Sequence, residues 1–430
     1  MVRHIIAIVF IFIATTVAWA ILGSTLLYRT YRSDEELRGR VQSTWGTVQE
    51  QHPPTATWSE TVPATVESQE DGRSVRRATR TSTTETLPLE RTRVQVGLDL
   101  AHRLKGLRWF STYTVDFRGA YTFHNTSARE RRVDFLFRFP ATRAIYDDLE
   151  FKVDGKPAVT EHTPGGVRAS APVGAGRSAE VEIGYRSQGL DRWSYDLRPA
   201  PGATGESPLP PSDVAEVRDF ELVMSTNFAA IDYPDDALSP TGARRTPPGW
   251  ALTWRYRSLV SGFKIGMAMP ERLQPGPLAS RISYFAPVSL FFFFFLMFII
   301  TTLRGIDLHP MNYFFLAAAF FSFHLLLAYL VDHLSIHVSF VICSAVSIAL
   351  VVSYLRLVVG MRFAAVEAGL AQLIYLVLFS YAFFFKGITG LVITIGSILT
   401  LFVVMQMTGR INWSERFARA PAPPPPVPVR

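Results

Sequence analysis

Residues Phe285–Leu303 read FAPVSLFFFFFLMFIITTL, nineteen positions without Asp, Glu, Lys or Arg. The hydrocarbon core of a bilayer takes about 20 apolar residues as an α-helix, so this stretch is read as a membrane span. Phe291–Phe295 is an unbroken aromatic run, which suits lipid contact better than a cofactor site. Four more apolar stretches follow at about Met311–Val331, Val338–Tyr354, Phe363–Phe385 and Ile388–Met407. The connections Arg304–Pro310, Asp332–His337, Leu355–Arg362 and Lys386-Gly387 are short, which forces neighbouring helices to run antiparallel. A sixth apolar stretch, Ile5–Leu27, opens the sequence. Ala18-Trp19-Ala20 resembles a signal-peptidase site. The apolar run continues past it, however, beyond the about 7–15 residues of a cleavable segment, so an uncleaved anchor is expected.

Between the first and second spans lies a stretch of ordinary soluble composition, Arg29–Arg281. The expected fold is a membrane α-helical bundle of six transmembrane helices, one N-terminal plus five C-terminal, with a large extracytoplasmic β-rich, β-sandwich-like domain. The expected divisions are 1–28 for the anchor, 29–93 for a short amphipathic helix followed by an extended, partly disordered segment, and 94–280 for the β-rich domain. Residues 281–409 then form the five-helix domain, and 410–430 a Pro-rich tail.

Charge orients this layout. With the N-terminus inside, the cytoplasmic set is Arg3, Arg304, Arg356, Arg362, Arg410, Arg416, Arg419 and Arg430, whereas the short outer loops hold only Lys386. By the positive-inside rule both termini are cytoplasmic and residues 29–280 periplasmic; Arg29 and Arg32 oppose this, but long domains count little. The net charge of +7 follows from this bias, and nucleic acid is not an expected partner because the basic residues form no aromatic-interleaved patch. The single cysteine, Cys343, lies in a span, so no intramolecular disulfide supports the soluble domain and its own core must hold it.

Within the soluble stretch, Ser33-Asp34-Glu35-Glu36 is a capping-box pattern, followed by Leu37, Val41 and Trp45 at helical spacing and by Gly46 as a stop. Gln49–Arg93 is rich in Thr, Pro, Ser and charge. Thereafter residues alternate with period two. Examples are Val94/Val96/Leu98, Val133/Phe135/Phe137, Val181/Ile183/Tyr185, Trp193/Tyr195 and Leu252/Trp254/Tyr256. Asp154-Gly155 is a hairpin signal. Many short alternating runs with Gly, Pro and Asp between them imply an antiparallel sandwich, or two small ones, and Pro199–Ser212 would separate the halves.

Catalytic patterns are lacking. His-Glu-x-x-His, Cys-x-x-Cys, Gly-x-Ser-x-Gly and a phosphate-cradling glycine loop do not occur. His52, His102, His124 and His162 are scattered, and the acidic run Asp232-Tyr233-Pro234-Asp235-Asp236 reads as a solvated turn. No catalytic, cofactor or metal residue is therefore assigned, and no enzyme activity is expected. Intramembrane polar residues are functional candidates by default: His324, Glu367, Gln372 and Gln406. Glu367 sits shallow and suits an ion pair with Arg362, Arg356 or Arg304. On an ideal helix Gln372 points about 140° away from it, so the two form no single polar stripe. Ser339, Cys343 and Ser347, and Ala365 and Gly369, recur every four positions, the spacing that lets membrane helices approach closely.

Two motifs stand at the expected cytoplasmic edge. Leu308-His309-Pro310-Met311-Asn312-Tyr313 begins a helix with His309 as N-cap, Pro310 at the first position and Tyr313 as an interfacial aromatic. Arg410-Ile411-Asn412-Trp413 leaves the last helix, with Arg410 and Trp413 as anchors. At these motifs, and in the layout of anchor, large domain and terminal helices, the chain resembles the CreD family of bacterial inner-membrane proteins. The exit departs from the family pattern, with Gly409-Arg410 in place of Arg-Asn. The resemblance implies a Gram-negative inner membrane, a periplasmic domain and a role in envelope integrity or envelope stress; with no catalytic constellation in the large domain, that role is expected to be non-enzymatic. It carries over no catalytic residue. The expected partners are the lipid bilayer and periplasmic or envelope proteins, with the oligomeric state open. The alternative is transport or lipid handling through Glu367, His324 and Gln372; an envelope hydrolase is a third reading.

Overall fold

A computed structural model describes residues 2–70, 73–105, 108–200, 214–385 and 387–409. The Pro-rich segment expected between sandwich halves falls largely outside these, as do Arg410, Trp413 and the tail. The chain divides into two compact units: Met1–Glu35 with Leu273–Arg430, and Glu36–Arg272.

Six helices in the first unit are long and apolar enough to cross a membrane: His4–Tyr31, Pro275–Arg304, Pro310–Leu330, Ile336–Val358, Phe363–Phe384 and Thr389–Thr408. We call them α1 to α6, α1 extending over Val2–Trp45 as one continuous helix. The separate amphipathic helix expected after the anchor is thus its continuation. No Gly or Pro lies between Leu27 and Glu36 to break it, and Gly46 ends it at φ 93°. A Cβ at Gly46 would meet the Gln188 carbonyl oxygen at 2.3 Å, so only glycine fits.

One end of the bundle gathers the C-terminal part of the α1 span, the start of α2 and the α3–α4 turn. Arg29 donates two 2.7 Å hydrogen bonds to Asp332, and Ser280 donates to the Gly23 carbonyl at 3.0 Å. At the other end the His4 ring lies 6.2 Å from that of His309 in the α2–α3 turn. Along α2 the aromatic run is divided: Phe293 and Phe294 are buried, whereas Phe291 is half exposed. One stretch of it therefore serves both the bundle and the lipid face.

The second unit is a β-sandwich. Its eight-stranded sheet runs β14 (Gly242–Thr246), β15 (Gly249–Ser261), β13 (Ala215–Thr226), β4 (Leu89–Lys105), β5 (Arg108–His124), β11 (Ser178–Leu190), β7 (Tyr146–Val153), β8 (Lys156–Pro157). The five-stranded sheet runs β3 (Arg73–Thr86), β2 (Thr55–Glu70), β6 (Arg131–Arg138), β10 (Gly166–Val173), β9 (Thr160–Thr163). A small third sheet holds β1 (Gln49–Gln51), β12 (Arg192–Tyr195) and β16 (Ile265–Ala268). Alternation puts Val133, Phe135 and Phe137 of β6 inward, each fully buried. They meet the inner face of the large sheet: Phe137 is 6.3 Å from Phe117 and 6.1 Å from Tyr185, and Phe123 is 5.8 Å from Phe135. The hairpin signal folds as read, since β7 pairs with β8 and both Asp154 (φ 50°) and Gly155 (φ 74°) adopt the left-handed conformation of a type I′ turn.

Among residues 49–93, expected as extended and partly disordered, the described residues include β1, β2, β3 and the start of β4. β2 and β3 keep one antiparallel register from Thr57↔Thr86 to Glu70↔Arg73. The β-branched threonines that lower hydrophobicity here also favour extended pairing.

Phe137→Ala should cost about 3–5 kcal/mol, measured as the unfolding midpoint of the purified chain followed by pulse proteolysis. A loss below about 1 kcal/mol would place the ring outside the core.

Candidate functional site

The α2–α3 turn is built by its caps. Gly305 closes α2 in the left-handed conformation (φ 68°), its backbone N–H directed at the Thr301 and Thr302 carbonyls. His309 then takes the extended N-cap conformation (φ −63°, ψ 144°), and its Nδ1 accepts the Met311 N–H at 3.2 Å. Pro310 occupies the first helical turn, where a missing donor costs nothing. Met311 is half exposed.

The next two residues join helices. Asn312 Oδ1 accepts the Tyr354 hydroxyl at 2.7 Å, tying α3 to α4. Tyr313 is buried, with its ring edge-on to Phe294 of α2 at 5.3 Å. It is therefore a contact between helices, and the expected role as an interfacial aromatic does not hold: α2 covers it. Beside this turn Arg304 Nη2 lies 2.6 Å from Glu367 Oε1 on α5. Of the three arginines that could have paired with Glu367, Arg304 is the one within reach.

α5 is not a regular α-helix. Wide π-helical turns occupy Phe363–Ala368 and Leu373–Leu378. Such turns leave carbonyls free for other partners, and Ser289 of α2 donates to the Tyr375 carbonyl. Ala365 is exposed, and the tight face is made by Ala364, Ala368, Gly369 and Ala371, so the Ala365–Gly369 stripe does not form a contact as spaced. On α4 the stripe does: Ser339, Cys343 and Ser347 are all fully buried.

The intramembrane polar residues engage different neighbours. Gln372 Nε2 donates to Ser347 Oγ at 2.9 Å, and Ser347 donates to the Ala319 carbonyl at 2.7 Å, a chain across α5, α4 and α3. Its Oε1 is buried without a partner. His324 is buried, with Nδ1 at 3.1 Å from the Phe320 carbonyl one turn earlier and its ring edge-on to Trp19 at 5.6 Å and Phe323 at 4.9 Å. Glu367, Gln372 and His324 are thus held separately, by Arg304, Ser347 and an aromatic pocket.

In the β unit, folding assembles a cluster that the scattered histidines concealed. Glu50, His52 and Asp196 place ligand atoms within 4.8 Å of one another. The geometry is that of an ion-pair network, because cations of the chain already face both carboxylates. Lys264 Nζ is 2.7 Å from Glu50 and 3.6 Å from Asp196, and Arg198 donates to both oxygens of Asp196 at 3.0 and 2.7 Å. Burial pushes the Asp196 carboxyl up in pKa, but the Arg198 hydrogen bonds and charge outweigh it and hold it below the ordinary value. Next to it, Gln51 accepts the Tyr185 hydroxyl at 2.8 Å and donates to the Arg138 carbonyl at 3.2 Å, bridging the two large sheets. Gln49 donates to Ser187 and the Gln188 carbonyl. Gln49-Glu50-Gln51-His52 alternates between core plug and ion network. Period two was the available signal, hidden in a polar stretch.

A groove of about 660 Å³ lies on the outer face of the large sheet. Its charges pair across or along strands: Arg93 with Asp219, Arg186 with Asp116 and Asp148, and Lys152 with Glu150.

Residues 258–414 match the family model described as inner membrane protein CreD. That stretch, a little over a third of the chain, is similar to the CreD family. The match takes in all five C-terminal spans and the Leu308–Tyr313 motif on which the resemblance rested. Together with the six apolar helices, this match supports a multi-pass inner-membrane protein. No curated protein matches it in sequence. Among solved structures it is similar to a candidate nutrient binding protein from Legionella pneumophila, at 10% identity and a TM-score of 0.31 over 58% of this chain and 76% of that one. It is also similar to an M1 zinc metallopeptidase from Deinococcus radiodurans, at 11% identity and a TM-score of 0.27 over 42% of each chain. At such scores neither likeness carries an argument about fold or activity.

Arg304→Gln leaves the Glu367 carboxylate without its partner and should cost about 1.5–3 kcal/mol in thermal unfolding of the detergent-solubilised protein. Adding Glu367→Gln should restore part of that loss; additive single effects would show that the pair is not coupled. Asp196→Asn should lower stability at pH 7 and flatten its acid dependence. A carboxyl with depressed folded pKa stabilises fully above its ordinary pKa of about 3.8, and that stabilisation is lost as pH falls from there through the lower folded value. Parallel pH–stability curves for variant and wild type would contradict this.

Proposed function

We propose that this protein is a member of the CreD family and acts in cell-envelope integrity without catalysis, its β-sandwich facing the periplasm and contacting envelope components or protein partners. One observation carries the reading. The sandwich is inserted between α1 and α2, and Ser280 near the start of α2 is bonded to Gly23 of α1. Both tethers of the sandwich therefore leave from one end of the helix bundle. Arg304, Arg356 and Arg362 belong to connections at the opposite end, the arrangement that the positive-inside rule assigns to the cytoplasm. The resemblance of the motifs to the CreD family adds the envelope setting. The ion pairs on the outer sheet face give it a mixed-charge surface suited to contact with polar envelope material.

Topology and role are tested together. With Cys343→Ser as background, Val159→Cys on the sandwich should react with a membrane-impermeant maleimide in cells with a permeabilised outer membrane. Asp307→Cys in the α2–α3 turn should react only after lysis. The reverse pattern would invert the orientation. A deletion strain should lose viability under detergent or cell-wall stress and regain it on complementation; unchanged permeability, morphology and survival would remove the envelope role.

A further inference from the structure

The groove of about 660 Å³ lies on a part of the large sheet whose side-chain positions the register fixes. Val181, Ile183 and Tyr185 of β11 are buried, so Glu182, Gly184 and Arg186 point outward. Opposite them on β5 stand Ala120, Arg118 and Asp116. Gly184 leaves the middle of this grid without a side chain, and packing does not require that. A Cβ there would meet nothing closer than the Phe117 carbonyl oxygen at 3.7 Å, an ordinary contact. β11 is paired on both sides, with β5 and with β7. Glycine inside such a strand costs about 0.5–1 kcal/mol against alanine. A strand glycine commonly marks a bulge or a close approach by a ligand. The adjoining bulge has its extra residue on β7, where Glu150 and Asp147 face Gly184 and Arg186, so it does not account for a glycine on β11.

The charges around this gap are incompletely paired. Arg118, 75% exposed, has its Nε 3.5 Å from Asp116, and Arg186 lies 3.8 Å from both Asp116 and Asp148. These separations exceed hydrogen-bond length, so two forked guanidinium groups share loosely held carboxylates. On the other side of the gap, Lys152 is opposite Glu182 in the register but is bound to Glu150 at 2.7 Å. Among the described residues the Glu182 carboxylate has no hydrogen bond. Donors thus flank one side of Gly184 and an acceptor the other. Glu182 and Gly184 are two strand residues apart, about 7 Å. An extended dipeptide carries its ammonium and carboxylate about 6–7 Å apart.

Other ligand classes match less well. Four cations and four carboxylates line the groove, and those carboxylates oppose a polyanion. Phe117 and Tyr185 are buried on the inner face, so they offer no ring to a sugar.

We propose that the groove binds short zwitterionic peptides with free termini, the carboxylate held over Gly184 by Arg118 and Arg186 and the ammonium held by Glu182. Such peptides are one class of the envelope material suggested above to meet this face, so their biological role rests on the sandwich facing the periplasm.

Saturation-transfer NMR on the full chain in detergent, with alanyl-alanine as probe, tests this. The methyl signals of alanyl-alanine should be saturated. Its N-acetylated and C-amidated forms, each lacking one charge, should bind about fivefold more weakly, the upper range for one exposed ion pair. Arg118→Gln and Glu182→Gln should each give a similar loss, and Glu182→Gln should no longer distinguish the free from the acetylated peptide. The blocked peptides need no change to the protein, so a misfolded variant does not decide the outcome. No saturation by alanyl-alanine, or equal affinity for the blocked peptides, would overturn the proposal. So would undiminished discrimination by Glu182→Gln. None of these results depends on orientation in the membrane, which the maleimide reactions decide, so failure of the groove and failure of the periplasmic reading are told apart.

Discussion

Hydrocarbon offers no partner to a backbone N–H or C=O, and that constraint governs the membrane unit. Every span is helical because only a helix satisfies its own backbone. The polar side chains follow the same logic: Thr16, Ser344 and Thr400 each return a hydroxyl to the carbonyl one turn earlier. Where α5 widens into π turns a carbonyl is released, and Ser289 of α2 supplies the missing donor. The departures from regularity are thus points of attachment between helices. Asn312 with Tyr354, Gln372 with Ser347 and Arg304 with Glu367 play the same part.

The sandwich obeys water instead. Its strands present one face to a partner sheet and the other to solvent, so aromatics of β5 and β6 interlock inside while arginines and carboxylates pair outside. The exception is the polar plug Gln49 and Gln51, fully buried between the sheets. It is tolerated because Tyr185, Ser187 and backbone carbonyls take up its hydrogen bonds. That plug follows directly on α1, so the first residues after the long helix are anchored in the core.

Apolar runs, turn signals and caps were legible before any coordinates. Each depends on neighbours along the chain: the span at Phe285–Leu303, the Asp154-Gly155 turn, and Pro310 behind the His309 cap. Residues whose meaning depends on distant partners were not legible. Tyr313 read as an interface aromatic until α2 covered it, and Ala365 read as a packing residue although Ala364, Ala368 and Ala371 make the buried face and Ala365 lies exposed. His52 read as isolated, because Glu50 is close in sequence but Asp196 and Lys264 arrive from strands far along the chain.

By itself, then, the sequence determined that six segments must be helices in lipid and that the intervening stretch must be a sandwich. Periodicity and hydrophobicity are local, and solvent acts on them position by position. The tertiary structure alone decided which arginine neutralises Glu367, which strands close around Gln51, and that Ser111 of β5 donates to the Pro270 carbonyl. Those outcomes depend on register and on packing between segments far apart in sequence, where the free energy belongs to the pair and not to either residue.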